Sequence, residues 1–277
     1  MAKSVGFIGN MQGKVGNVVG FKVSQSNSGT NQGVRVYQPN IKNPKSAAQA
    51  EQRAKYAPIF WTYNAIKDIV DRGNESKPYG NASRVAWLKR AFRAQYFPWF
   101  KKGVTVNAPI ICEVSFGSLP SLSYGTTSDN VTIDCPGLEG IGDIYTIGEL
   151  SDELFTYYPW LNDGDQLTIV SIPMDGDAHG ADIYSIILDR EDDSDIVGWT
   201  QRNDYIEFNT FGAECAVAII ISRRGPHGEH LRSTEKFHYL GSMVRQSPYD
   251  AASKQAAIES YMATGTTNAD WAEESIQ

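Results

Sequence analysis

Histidine is the side chain most often used for acid–base chemistry near neutral pH, and the chain has four: His179, His227, His230 and His238. They do not form the HExxH spacing of a helical zinc site, and the sequence lacks the Gly-x-Ser-x-Gly turn that holds a nucleophilic serine. The histidines therefore predict neither a metal site nor a catalytic triad. A hydrolase is kept as a third hypothesis, which requires a pocket that joins His227, His230 or His238 to paired carboxylates.

Two acidic runs, at residues 175–179 and 191–195, present carboxylates of the kind that bind calcium. Neither run has the 12-residue spacing with a final Glu that a helix-loop-helix calcium site requires. Solvated loop tips are the favoured interpretation, and the sequence predicts no metal and no cofactor.

A glycine- and lysine-containing stretch at residues 9–15, GNMQGKV, superficially resembles a phosphate-binding loop. The true pattern has four residues between its glycines and Ser or Thr after the Lys. Here three residues separate Gly9 from Gly13, and Val15 follows Lys14. The spacing therefore indicates that this stretch does not bind a nucleotide.

The three cysteines, Cys112, Cys135 and Cys215, are far apart in sequence and form no CxxC motif. They are predicted to be small core residues rather than disulfides or nucleophiles. No catalytic residue is predicted, and the chain is interpreted as non-enzymatic.

Charge is divided unequally along the 277 residues, whose formal net charge is −7. Residues 1–105 hold 17 Lys and Arg against 4 Asp and Glu, a net +13, whereas residues 106–277 hold 8 against 28, a net −20. Such an asymmetry predicts either a polyanionic partner for the basic part or head-to-tail association of the two parts.

Lysines and arginines alternate with aromatic residues through residues 87–102, WLKRAFRAQYFPWFKK. Cations attract phosphates, and aromatic faces stack on unpaired bases. The alternative, favoured on general grounds, is a solvated helix face over an aromatic core, because the aromatic residues fall mainly at core spacing. A third interpretation is that this basic part docks on an acidic neighbour in an assembly.

The elements of the basic part begin with glycines at positions 6, 9, 13, 16 and 20, which favour extended backbone in close contact with a neighbouring strand or subunit. Residues 15–23 and 34–37 are predicted to form a hairpin around a polar loop. A helix is expected to begin with Asn43 as its cap and Pro44 in the first turn, and to be kinked or interrupted at Pro58.

A second helix is predicted from Asn81. Its expected inward face consists of Val85, Leu88, Phe92, Gln95 and Trp99.

From residue 106 the hydrophobic period changes to two, which predicts strands at 108–116, 130–135, 166–172, 183–188, 205–208, 215–222 and 234–239. Short helices are expected at 150–158 and 248–263. The predicted fold class is α+β: an N-terminal β-hairpin with two helices, an antiparallel β-sandwich of immunoglobulin-like build, and a C-terminal helix. The predicted domains are 1–105, 106–240 and 241–277.

Three motifs carry a resemblance to a known family: GKVGNVVG at residues 13–20, RVYQPNIKNPKSAAQAEQRAK at 35–55 and YGNASRVAWLKRAF at 79–92. They are similar to those of a family of proteins of unknown function from Bacteroidota and their gut phages. The motifs cover about the first 100 residues. The resemblance implies a virion or phage-associated protein and transfers no catalytic residue.

The leading functional hypothesis is a phage virion or assembly protein whose basic part contacts nucleic acid or an acidic capsid or subunit surface. The partners expected are further copies of the chain, other virion proteins and nucleic acid, with no membrane, because the longest apolar run has seven residues. A virion or host-cytoplasm location is expected, with no signal peptide. The predicted contact residues are Lys14, Lys22, Arg35, Lys42, Lys45, Arg53, Lys55, Arg84, Lys89, Arg90 and Arg93.

The alternative hypothesis is a binding module that recognises a glycan or protein on a host surface through loops at one end of the sandwich. It requires Tyr157, Tyr158 and Trp160 to be exposed at loop tips.

Overall fold

A computed structural model provides the fold of the chain. It describes residues 13–15, 18–22, 32–36, 46–94, 96–106, 108–126, 130–173, 180–209, 215–239 and 248–263. Two compact units are present. One comprises residues 1–45 with 265–277, and the other comprises residues 46–264.

The first unit contains a three-stranded antiparallel sheet made of β1 (Gly13–Val15), β2 (Val18–Lys22) and β3 (Gln32–Val36). Strands β2 and β3 pair from Val18 opposite Val36 to Lys22 opposite Gln32, so the predicted hairpin is present. β1 adds a third strand, in which Gly13 lies opposite Gly20.

The described residues of the second unit include five helices. They are α1 (Ala47–Ala65), α2 (Lys67–Arg72), α3 (Asn81–Ala91), α4 (Ile147–Tyr157) and α5 (Ala251–Ala263).

Helix α1 differs from the prediction at two points. Its N-cap is Ser46, whose hydroxyl accepts a hydrogen bond from the Gln49 amide; Asn43 and Pro44 lie outside the described residues. Pro58 does not end the helix, which continues to Ala65, where Ile66 separates it from α2. Pro58 is itself buried, so packing holds the helix together where propensity alone predicts a break.

The predicted inward face of α3 is confirmed in part. Leu88 and Phe92 pack against the helical core and Trp99 is buried in it, whereas Val85 is 40% exposed and Gln95 lies outside the described residues. The buried positions of the helix itself are Ser83, Trp87 and Ala91, spaced by four residues. The Ser83 hydroxyl donates to the carbonyl oxygen of Val70 at 2.6 Å, which ties α3 to α2. A polar residue therefore occupies the buried face, and a purely apolar pattern could not reveal it.

Antiparallel strands make up the rest of the unit. They are β4 (Glu113–Ser115), β5 (Tyr124–Thr126), β6 (Val131–Asp134), β7 (Gly142–Asp143), β8 (Gln166–Pro173), β9 (Asp182–Ile187), β10 (Trp199–Arg202), β11 (Tyr205–Phe208), β12 (Cys215–Arg224), β13 (His230–Arg232), β14 (Glu235–Lys236) and β15 (His238–Tyr239).

These strands form two five-stranded sheets and one small sheet. The outer sheet has the order β5-β6-β11-β10-β7. The central sheet has the order β13-β12-β8-β9, with β15 also paired to β12. β14 pairs with β4 in a two-stranded sheet that carries a register shift between Glu235 and Lys236.

The middle strands of the central sheet, β8 and β12, are buried on both faces, whereas β9 and β13 are largely exposed. In β12, Ala216, Ala218 and Ile220 belong to a core shared with the helices, and the alternate residues Val217 and Ile219 belong to a core shared with the outer sheet. Successive side chains of a strand point to opposite faces, so β12 reads as the continuous apolar run CAVAIII rather than as an alternating pattern.

The helical core contains Ile59 of α1, Trp87 of α3 and Ala257 of α5 together with Val170 and Ile172 of β8. Residue 105 therefore does not separate two cores, and the domain boundary predicted there falls inside the compact unit. The outer-sheet core is closed by α4, which begins with a capping box between Thr146 and Glu149.

The coarse prediction of an α+β chain with antiparallel sheets and a C-terminal helix is confirmed. The immunoglobulin-like arrangement of the sheets stays a prediction. Among the described residues, no helix is both long enough and apolar enough to cross a bilayer. The three cysteines are buried, as predicted for small core residues.

Candidate nucleic-acid interface

The eleven predicted contact residues fall in three groups. Lys14, Lys22 and Arg35 lie in β1, β2 and β3, of which the structure describes the backbone alone. Lys42 and Lys45 lie outside the described residues. The other six lie on α1 and on or just after α3: Arg53, Lys55, Arg84, Lys89, Arg90 and Arg93.

Lys55 is held by the protein itself. Its ammonium group lies 3.1 Å from Glu51 and 5.7 Å from the ring centroid of Trp99, and Lys254 of α5 reaches the same carboxylate at 3.2 Å. Burial alone would raise the pKa of Glu51, but the hydrogen bonds from Lys55 and Lys254 lower it. Lys55 therefore joins α1 to α5 rather than offering a charge to a ligand.

Arg84 and Arg90 stack on aromatic rings. The Arg84 guanidinium lies 5.6 Å from the ring centroid of Tyr63, and the Arg90 guanidinium lies 3.2 Å from that of Phe116. Arg90 is also 3.8 Å from Glu113. That carboxylate is half exposed, so Arg90 keeps access to solvent while its ring contact fixes its position.

Three of the predicted cations are available to a ligand. Lys89 and Arg93 are exposed and Arg53 is half-buried, and none of the three forms an ion pair with another residue that the structure describes. Arg53 lies on α1, Lys89 on α3 and Arg93 two residues after the end of α3.

Three aromatic rings, two of them exposed, lie on the same helical segments as these cations. Tyr56, which is 50% exposed, stacks on Phe60, which is 42% exposed, with ring centroids 6.0 Å apart and an interplanar angle of 11°. Phe92 meets Tyr56 edge to face. On a helix, residues three apart are neighbours, so Arg53 lies beside Tyr56 and Lys89 beside Phe92. Tyr56, Phe60, Phe92, Arg53, Lys89 and Arg93 are called the aromatic–basic face below.

A cleft of about 460 Å³ begins at the end of α3, next to this face. Its polar and aromatic lining includes Arg90, Arg93, Tyr96, Glu113, Lys236 and His238. Arg93 belongs to both the cleft and the aromatic–basic face.

The cleft is electropositive, because Arg90, Arg93 and Lys236 outnumber the one carboxylate, Glu113. Burial lowers the pKa of His238, and the charge of Lys236 lowers it further, so this ring is less readily protonated than a free histidine. Tyr96 is 39% exposed at the rim. The arrangement suits a phosphate with an adjoining planar group.

A second pocket, of about 290 Å³, adjoins the cleft and shares Glu113, Lys236 and His238 with it. It also contains Glu235 and Tyr124. His238 and two carboxylates therefore line one pocket, which is the arrangement that the hydrolase hypothesis requires. His227 and His230 are exposed and do not line it.

The aromatic residues of the 87–102 stretch serve mostly as core. Trp87, Phe97 and Trp99 are buried, and Tyr96 and Phe92 alone among its described rings reach the aromatic–basic face or the cleft. The interpretation as a helix face over an aromatic core therefore holds for most of this stretch. The stacking surface arises instead from α1, where Tyr56 and Phe60 are four residues apart.

The loop aromatics expected for a host-binding module are not free at loop tips. Tyr157, Tyr158 and Trp160 are partly buried against the outer-sheet core. The Tyr158 hydroxyl donates to the carbonyl oxygens of Ser123 and Asp134. The three rings therefore contribute to the packing of the fold.

The acidic and glycine-rich motifs add no site. Residues 191–195 form an exposed turn in which Asp192 accepts a hydrogen bond from Ser194, and residues 175–179 lie outside the described residues. Lys14 of the phosphate-loop-like stretch lies in β1. Within the described part of the chain, no group of three His, Cys, Asp or Glu side chains is placed to hold a metal ion.

Sequence reasoning missed Tyr56, Phe60 and Lys236. A sequence signal exists for Tyr56 and Phe60, because they are an aromatic pair spaced i, i+4 that lies outside the buried alanines of α1, Ala50 and Ala54. Lys236 had no local signal, because it reaches the cleft only through the pairing of β14 with β4. No family model, curated protein or solved structure matches the chain.

Proposed function

We propose that the protein is a non-enzymatic, phage-associated structural or assembly protein that binds single-stranded nucleic acid through the aromatic–basic face and the adjoining cleft. The observation that carries the proposal is the contact of Tyr56 with Phe60 and Phe92 on the same two helical segments that carry Arg53, Lys89 and Arg93, which form no ion pair within the described chain. Aromatic faces that stack on bases beside cations that track phosphates are the usual means of binding a single strand without sequence preference.

Two further observations support the proposal. The basic part carries a net +13, which favours a polyanionic partner. Its motifs resemble those of the Bacteroidota and gut-phage family, which supports a partner from a phage. Further copies of the chain or other virion proteins would then be neighbours on the acidic part.

The test is the affinity of the full chain for two labelled probes at 50 mM salt: dT12 and a 12-residue peptide rich in glutamate. Binding of dT12 that is weakened in a Lys89→Ala/Arg93→Ala variant supports the proposal. Binding of the peptide alone overturns it in favour of a basic surface that docks on an acidic subunit. Binding of neither probe contradicts both.

A hydrolase is the second candidate, favoured by the pocket that joins His238 to Glu113 and Glu235. Burial raises the pKa of Glu235, as a general acid requires. The test measures the release of p-nitrophenol by the full chain from p-nitrophenyl phosphate, p-nitrophenyl acetate and p-nitrophenyl glycosides. Turnover that is lost in both Glu235→Gln and His238→Ala supports catalysis here; absent turnover, or turnover unchanged by both, excludes this pocket as its source.

A further inference from the structure

The pocket beside the cleft differs from it in chemistry. The cleft supplies Arg90, Arg93 and Lys236, whereas the pocket supplies hydrogen-bonding groups: Glu235, Tyr124 and Ser121, with Lys236 and His238 at the junction. Because the two cavities share residues, a ligand that spans them would carry an anionic group at one end and hydrogen-bonding groups a few ångströms away. A nucleotide has this composition.

Glu235 is the group in the pocket that most needs a partner. It is 5% exposed, and its Oε1 atom is buried and accepts no hydrogen bond of ordinary geometry among the described residues, although the Ser121 and Ser233 hydroxyls lie close enough to lower the pKa of this carboxyl group. Its Oε2 atom accepts one long hydrogen bond from the Tyr124 hydroxyl, at 3.4 Å. An ionised carboxylate only accepts hydrogen bonds, and a buried acceptor without a donor is costly, so a ligand with donors would satisfy it.

Two rings adjoin this carboxyl group. The Tyr124 and His238 rings meet edge to face with centroids 4.8 Å apart. The Tyr124 hydroxyl is held by the carbonyl oxygen of Lys236 at 3.2 Å, so its ring is fixed in place. Fixed rings beside a hydrogen-bonding group are what a site for an unstacked base requires.

We propose that this pocket receives one base of the bound strand and that Glu235 selects guanine. The inference rests on the proposed function, because the phosphates of the strand would lie in the cleft on Arg90, Arg93 and Lys236. Guanine presents its N1–H and N2–H groups side by side, which matches the two oxygens of a carboxylate. Thymine offers one donor between acceptors, and adenine and cytosine offer one donor beside an acceptor on the same edge.

The test compares the full chain's affinity for dT12 with its affinity for the same 12-mer carrying one central dG, dA or dC. We expect the dG probe to bind roughly tenfold more tightly than dT12, as for a bidentate contact, and the dA and dC probes to bind like dT12. In Glu235→Gln, the amide presents one donor beside one acceptor. The dG preference should then disappear and shift towards dA or dC.

The outcomes separate this inference from the proposed function. Binding of dT12 without any advantage for dG overturns the base pocket and leaves the proposed function standing. A dG preference that persists in Glu235→Gln also overturns the assignment. Failure of every probe to bind contradicts the proposed function itself. Should Glu235→Gln fail to fold, the single-base series on the wild-type chain still decides, since an absent dG preference refutes the inference.

Discussion

Tyr56 of α1 and Phe92, the residue that follows α3, meet edge to face with ring centroids 5.2 Å apart. The contact joins two helices at the surface, since half of Tyr56 is exposed. Tyr56→Ala is expected to weaken dT12 binding by about 1–3 kcal/mol, the usual loss when one stacking platform is removed. Fluorescence anisotropy with labelled dT12 measures the change.

The matched control is Tyr145→Ala. Tyr145 is 62% exposed and lies between β7 of the outer sheet and α4, on neither of the helices that carry the aromatic–basic face. It should leave the affinity unchanged. Equal effects of the two variants would show that Tyr56 is not a stacking platform.

Arg93 is expected to neutralise one phosphate. For single strands, each neutralised phosphate contributes about 0.7 to the slope of log affinity against log salt concentration. Arg93→Ala should therefore reduce the steepness of the slope by about 0.7. Arg190→Ala is the control, because Arg190 is paired with Asp152 at 3.2 Å and lies outside the basic part. A slope that is the same in Arg93→Ala and the wild type would remove Arg93 from the interface.

The prediction for stability concerns the pair of Arg223 with Asp165. The guanidinium donates from Nε and from an Nη atom to the two carboxylate oxygens at 2.6 and 2.7 Å, and Asp165 is 1% exposed. Arg223→Met leaves that carboxylate buried and unpaired, so it should lower the free energy of unfolding by about 3–5 kcal/mol in urea titrations.

The exposed pair of Arg190 with Asp152 is the comparison, since their side chains are 52% and 67% exposed. Arg190→Met should cost less than about 1 kcal/mol. Similar costs for the two variants would contradict the distinction between buried and exposed pairs.

Glu235 predicts a pH-dependent difference in stability. Burial raises its pKa in the folded state, and nearby hydroxyl groups offset part of the rise. Below the pKa that Glu235 has in the unfolded chain, the carboxyl group is protonated in both states and burial costs no stability. As pH rises through the higher pKa of the folded state, the buried group ionises and the free energy of unfolding falls. The free energy of unfolding of Glu235→Gln minus that of the wild type should therefore be more positive at pH 8 than at pH 4. A difference that is flat or falls with pH would contradict the buried, ionisable state.

Residues 1–105 are expected not to fold alone. Ile59 and Trp87 are buried in a core completed by Val170 and Ile172 of β8, which the fragment lacks. Burial of each large apolar side chain contributes about 1.5–3 kcal/mol. Thermal circular dichroism should show no cooperative transition for 1–105 and a cooperative one for 46–264. A sharp transition for 1–105 would restore the boundary predicted from charge.

The sequence predicts those parts of the fold that depend on local pattern. The strand around Cys215–Arg224, the start of α3 at Asn81 and the terminal helix all follow from periodicity and turn residues. Strands β10 and β13 were missed because they are short and their polar content is high. The sequence predicts a kink or interruption of the helix at Pro58, but α1 continues through this residue because tertiary packing holds it together.

The candidate interface was only partly predictable for the same reason. Lys89 and Arg93 were identified from charge alone. The partners of Lys55 and Arg90 could not be identified from the sequence, because Trp99 and Phe116 are distant in sequence and contact these cations only in the folded chain. Charge patterning thus located the surface, and side-chain packing decided which cations remain available.

Binding of labelled dT12 to the full chain across a salt series is the most direct test of single-strand binding by the basic part. With three free cations and Arg90 available, we expect log affinity to fall against log salt concentration with a slope of about −2 to −3. Binding that is absent at 50 mM salt, or that does not change between 50 and 300 mM salt, would contradict the account.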